Sequence, residues 1–176
     1  MATNAFLHEF WNNFTKEQKE HIVSNCYEEY NRFLKGEVTE EDCGIIKRHI
    51  QNIIKNINEK FIYSVTNGHL NIVKACLKLG ANIHVENDYA LRWASAHGHL
   101  EVVKYLVEQG AKIHADNEFA LTWASGNGYL KVVKYLVEQG ANIVKSKAIK
   151  FAKKYNHSDI VSYLKSELAK QNKKLP

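Results

Sequence analysis

Residues 84–113 read HVENDYALRWASAHGHLEVVKYLVEQGAKI, and residues 114–143 read HADNEFALTWASGNGYLKVVKYLVEQGANI. Laid on one another they agree at 20 of 30 positions, and exchanges such as Tyr89/Phe119, Asp88/Glu118 and Glu86/Asp116 keep shape or charge. This is an internal duplication. Gly68, Gly98 and Gly128, and Gly80, Gly110 and Gly140, carry the same 30-residue interval along the chain, so the period is the primary fact about the fold.

Within one unit, Tyr89, Leu91, Trp93 and Ala94 begin a helix that stops near Gly98. Leu100, Val102, Val103, Leu106 and Val107 then give a second helix, with apolar residues at three-to-four spacing. Glycine accepts a left-handed backbone angle without the steric penalty of a Cβ, which suits Gly98 and Gly110 to the two helix ends. Helices this short are unstable alone, and an isolated pair leaves apolar surface on two sides. Each unit must therefore bury itself against its neighbours.

The stretches NGHLNIVKACLKLGANI, HGHLEVVKYLVEQGAKI and NGYLKVVKYLVEQGANI resemble the second half of the ankyrin repeat, and the segments around Leu91 and Leu121 resemble its first helix. The resemblance covers Lys60 to about Ile143 well and Lys147 to Leu164 more weakly. It implies an all-α ankyrin-repeat solenoid of stacked helix pairs. In the last unit Ile149, Phe151, Ala152, Ile160, Val161 and Leu164 keep the core pattern, while Lys165 replaces Val107 and Val137, as a terminal cap requires. Two departures matter. About three residues of the family's period are missing between Ile83 and Tyr89, so the β-turn fingers should be short. Tyr89-Ala90-Leu91-Arg92 and Phe119-Ala120-Leu121-Thr122 stand where the family has Thr-Pro-Leu-His, losing the proline that opens the helix. The shortened period, the ALxWAS first helix and the VVKYLVEQGA second helix are together similar to ankyrin proteins encoded by large DNA viruses of amoebae.

Three regions are expected: 1–58, a helical cap with a degenerate leading repeat; 59–143, the repeats; and 144–176, a capping repeat with a basic tail. In the first, Phe6 to Phe14 form one amphipathic stripe and Ile22 to Leu34 another, the second closed by Gly36. Thr39 is placed to cap a third helix in which Ile45, Ile46 and Ile50 are spaced like Ile72, Val73 and Leu77. The aromatic first stripe is expected to pack onto the first repeat; it also suits a groove on a partner or self-association, although a monomer is the default.

Composition excludes several classes. No apolar run approaches the roughly 20 residues a bilayer span needs, and MATNAFLHEFWNNF lacks a secretory pattern, so a soluble cytoplasmic protein is expected. For a viral protein that compartment is the host cytoplasm. Cys26, Cys43 and Cys76 are odd in number and widely spaced, which fits neither a disulfide framework nor a zinc knuckle. The net charge of +5 is concentrated: Lys145 to Pro176 holds nine lysines against Asp159 and Glu167, giving +7 there and −2 elsewhere.

No nucleophile elbow, P-loop or dinucleotide fingerprint occurs, so neither an enzyme nor a cofactor is expected. His97-Gly98-His99, with His84 and His114, invites a metal reading. Zinc needs three or four convergent ligands, however, and the resemblance assigns His69, His99 and His157 to ordering the turn after the glycine. Trp93 and Trp123 recur in register. They could stack single-stranded nucleic acid, but the family buries that position between its helices, so core filling is the stronger expectation.

The resemblance places partner binding on the concave face made by the fingers and first helices. Carried over, it points to Asn87, Asp88, Asn117 and Glu118 at the fingers, and to Thr66/Asn67, Ala96/His97, Gly126/Asn127 and Lys154/Tyr155 before each turn. The two near-identical units also diverge at Arg92 and Thr122. Glu86, Asp88, Asp116 and Glu118 would form an acidic strip suited to a basic protein partner, with charge setting encounter more than affinity. The alternative is nucleic-acid or acidic-surface binding through Lys145 to Lys174, which would weaken steeply with salt.

Overall fold

The computed structural model describes residues 40–173 together with Lys16, Glu20, Arg32 and Lys35. The expected stripes at 6–14 and 22–34, the Gly36 stop and the Thr39 cap lie outside the described residues. Those described form eight helices and no strand: α1 Glu40–Thr66, α2 Leu70–Lys78, α3 Val85–Ala96, α4 Leu100–Glu108, α5 Ala115–Gly126, α6 Leu130–Glu138, α7 Ala148–Lys154 and α8 Ser158–Lys173. The all-α repeat architecture expected from the 30-residue period is therefore observed. The α1 helix runs 27 residues without interruption across the expected boundary at 58/59. No glycine or proline lies between Gly44 and Gly68 to stop it.

By contact the chain falls into two units, residues 1–61 with 74–82 and residues 62–73 with 83–176. In the first, Phe61 and Cys76 are buried, and Asn58 Oδ1 accepts the Asn82 N–H at 2.8 Å. Burial, partly opposed by the positive charge of Lys60, pushes the Cys76 thiol up, which disfavours the thiolate.

The second unit is built as a stack. The first helices α3, α5 and α7 pack side by side, and each turns back on its own second helix, α4, α6 and α8. Leu91, Val103, Leu106, Leu121, Val133, Leu136, Ile160 and Leu164 are fully buried and give each layer the same apolar core. Helix ends follow one recipe. After α3, Gly98 N–H donates to Ser95 O and His99 N–H to Ala94 O, with Gly98 at φ +77°. This paired closure is the Schellman motif, and Gly110 and Gly140 repeat it, while at left-handed Gly128 the longer bond, Tyr129 N–H to Ala124 O, closes the helix. At the last joint Asn156, the side chain most tolerant of the left-handed region after glycine, takes the place at φ +64°.

The fingers are short, as the missing residues require, but they are not β-turns. Glu86, Asn87 and Asp88 (φ 48°, 57°, 57°) and Asp116, Asn117 and Glu118 (φ 50°, 53°, 63°) are all left-handed, so α3 and α5 become right-handed only at Tyr89 and Phe119. A single left-handed turn reverses the chain in three residues. Such residues cost roughly 1–2 kcal/mol each, and Asn or Asp, which visit this region more readily than other residues with a Cβ, stand at four of the six positions.

Candidate functional site

Contacts between successive repeats decide which finger and first-helix residues are free. The Asp88 carboxylate, 1 % exposed, accepts from His84 Nδ1 at 2.8 Å within its own finger and from the Lys112 N–H of the next at 2.9 Å. Arg92 donates to Asp116 Oδ2 and to Glu86 O, both at 2.8 Å, and its guanidinium lies 5.0 Å from the Phe119 ring centre. Thr122 Oγ1 accepts the Lys147 N–H at 3.2 Å. Residues 24 or 25 apart in sequence thus clasp finger to first helix.

A second set of bonds closes the turn end. His99 Nε2 donates to Thr66 O at 2.9 Å and His157 Nε2 to Gly126 O at 3.0 Å, which is a turn-ordering role that reaches across the repeat boundary. Between them Tyr129 stands where the histidine would be, and Asn127 Nδ2 bonds Ala96 O at 2.7 Å instead. The exchange of His97 for Asn127 therefore offsets that of His99 for Tyr129. Gly126 replaces Ala96 for a similar reason: a Cβ there would meet Phe151 at 3.2–3.3 Å. Divergence between the two units at these positions is compensated packing.

Of the twelve candidate residues, Asp88, Ala96, Glu118, Thr122 and Gly126 are buried and Arg92 is 13 % exposed in a clasp, so these six do not present a free surface. Asn67, Asn87, His97, Asn117, Asn127 and Tyr155 are exposed. The acidic strip is corrected with them: Asp88 and Glu118 are interior, Asp116 is paired with Arg92, and Glu86 is the exposed acid left. A left-handed turn directs residue 88 or 118 inward, where a β-turn finger would have projected it.

The tryptophans also depart from expectation. Trp93 and Trp123 are only partly buried, and they join Tyr89, Phe119, Phe151 and Tyr155 in one strip across α3, α5 and α7. Successive ring centres are 5.4 Å (Tyr89–Trp93), 6.4 Å (Trp93–Phe119), 5.7 Å (Phe119–Trp123), 5.4 Å (Trp123–Phe151) and 6.3 Å (Phe151–Tyr155) apart. His97 extends it, its ring 5.4 Å from Trp93. Tyr89, Trp93 and His97 share one helical face at i, i+4 and i+8, while Ala90, Leu91 and Ala94 fill the core beside it. Both stripes are apolar, which is why sequence merged them. Trp93→Ala should consequently cost about 1–2 kcal/mol in urea denaturation, below the 3–5 of a full core aromatic; a loss above 3 would restore the interior assignment.

Among the described residues no helix is long and apolar enough to cross a membrane, and no group of three or more His, Cys, Asp or Glu could hold a metal. His84 and His114 are each engaged by their own finger's acid. The phenols of Tyr135 and Tyr163, on second helices, are pushed above the ordinary tyrosine pKa, Tyr135 by burial and then the charge of Glu108, Tyr163 by burial and then that of Glu167.

Stacked helix pairs joined by left-handed glycine turns, with bonds passing from each repeat to the next, define a repeat scaffold. The family profile for ankyrin repeats (3 copies) matches residues 41–117 and 61–147, so the chain belongs to the ankyrin-repeat family. The match reaches back into the residues 41–58 that sequence marked as a degenerate leading repeat. No curated protein matches the chain. Ankyrin repeats generally mediate protein–protein interaction, and the family is typically non-catalytic.

Proposed function

We propose that this chain is a non-catalytic scaffold that binds a protein partner along its first-helix face. The observation that carries the reading is the partly exposed aromatic strip from Tyr89 to Tyr155, edged by exposed Asn87, His97, Asn117 and Asn127. Large, stiff rings supply contact area at low entropic cost and are the common anchors of interfaces. The shortened period and ALxWAS helix support the finer reading of a viral protein engaging a host factor in the host cytoplasm.

Charge along the strip is polarised. Residues 144–157 contain Lys145, Lys147, Lys150, Lys153 and Lys154, all exposed, and no acid. Lys154 Nζ sits 4.9 Å from the Tyr155 ring centre. A partner segment with apolar residues along the rings and carboxylates at the α7 end fits this surface. The same lysines favour the second reading, a nucleic-acid or acidic surface.

Affinity capture from host-cell extract with wild type and a Trp93→Ala/Trp123→Ala variant tests the first reading. Capture should fall at least tenfold in the variant while helical content stays unchanged. Retained capture by the folded variant rejects the strip. Loss of the captured species on nuclease treatment, with steep weakening by salt, would instead select the second reading.

A further inference from the structure

The two finger junctions are built from the same parts but close differently. At the first, Asp88 Oδ1 takes both the His84 side chain and the Lys112 N–H. At the second the acid is Glu118, one methylene longer. Its Oε1 accepts from His114 Nδ1 at 2.6 Å, and its Oε2 has no hydrogen-bond partner although the residue is 3 % exposed. Asn142 stands where Lys112 stood and turns its own Oδ1 to the Lys145 N–H at 2.9 Å. A cavity of about 580 Å³ remains, lined by His114, Asn117, Glu118, Gly140, Asn142 and Lys145.

A buried carboxylate oxygen without a donor is costly, and the donors that line the cavity do not meet it: neither Lys145 nor the Asn142 amide bonds Glu118 Oε2, and Asn142 Oδ1 accepts from its own turn. Gly140 and the small amides leave room for a group entering from outside, and the Asn117 side chain offers a further polar contact. We propose that this cavity seats a cationic side chain, arginine in preference to lysine, presented by a bound protein. The proposal rests on the reading of this face as protein-binding. Arginine is preferred because its planar guanidinium can bond Oε2 while other N–H groups reach an amide oxygen. Among the described residues Glu118 Oε2 is a fully buried carboxylate oxygen without a partner and no Asp88 oxygen is, so the specificity belongs to the second junction.

The test needs no partner. Arginine amide titrated into the ¹⁵N-labelled full chain should shift the backbone signals of Asn117, Glu118, Asn142 and Lys145 saturably. Citrulline amide, neutral and of nearly the same shape, should not. Glu118→Gln, which can still accept from His114, should weaken binding about tenfold or more. Asn142→Asp keeps the Lys145 turn bond and should tighten it several-fold, as should Lys145→Ala, and these two carry the test if Glu118→Gln fails to fold. Equal response to citrulline amide, unchanged affinity in the folded Glu118→Gln variant, or no saturable shift at these four residues overturns the proposal. Any of those results leaves the aromatic-strip capture experiment to stand or fall by itself.

Discussion

Gly98→Ala is expected to destabilise the array by about 3–4 kcal/mol, whereas Gly110→Ala, at a similar backbone angle, should cost only about 1–2. Both glycines are left-handed, at φ +77° and +94°, so each alanine carries the same kind of backbone strain. They differ in what a Cβ would meet. At Gly110 nothing lies within 4 Å, while at Gly98 the new atom would overlap the Tyr129 ring of the next repeat. His99 and His157 crowd Gly68 and Gly128 in the same way, with closest approaches of 2.6 Å. Urea denaturation of the two variants measures the difference. Because the excess at Gly98 is steric and comes from one ring, adding Tyr129→Ala should recover part of it, a coupling that a double-mutant cycle reads directly. Equal losses at Gly98 and Gly110 would show that the following repeat does not lean on this joint.

Removing the Asp88 carboxylate should be nearly as damaging. Asp88→Ala is expected to cost about 3 kcal/mol, since it takes the acceptor from the Lys112 N–H, removes the His84 contact and puts alanine at φ +57°. Asp88→Asn tolerates that angle and keeps an acceptor oxygen, so its loss should be nearer 1 kcal/mol and isolates the contribution of charge. Thermal or urea unfolding of the pair distinguishes a structural clasp from a solvent-facing finger acid, for which both substitutions would be close to neutral.

How legible the molecule was in its sequence depended on the range of the interaction. The duplicated 30-residue unit, the helix pair within it and the glycine stops were readable, because helical periodicity and a left-handed angle are properties of a dozen neighbouring residues. That Asn67, His97 and Asn127 are exposed was readable from their place just before the turn. Asp88, Glu118 and Arg92 were misjudged because the family's finger is a β-turn, and nothing local in Glu86-Asn87-Asp88 announces three consecutive left-handed residues. The aromatic strip was hidden by an ambiguity of pattern. Trp93 lies three residues after Ala90 and two after Leu91, so one apolar helix served both the core and an open face.

By itself, then, the chain's order of residues determined a stack of ankyrin-type helix pairs, where each helix ends, and how short the fingers must be. Tertiary structure alone decided which polar groups look outward. Asp88 finds Lys112, Arg92 finds Asp116 and Asn127 finds Ala96 across gaps of 24 to 31 residues. Those partners are brought together by packing across the joints between fingers and helices, so no stretch of a dozen neighbouring residues contains both members of a pair.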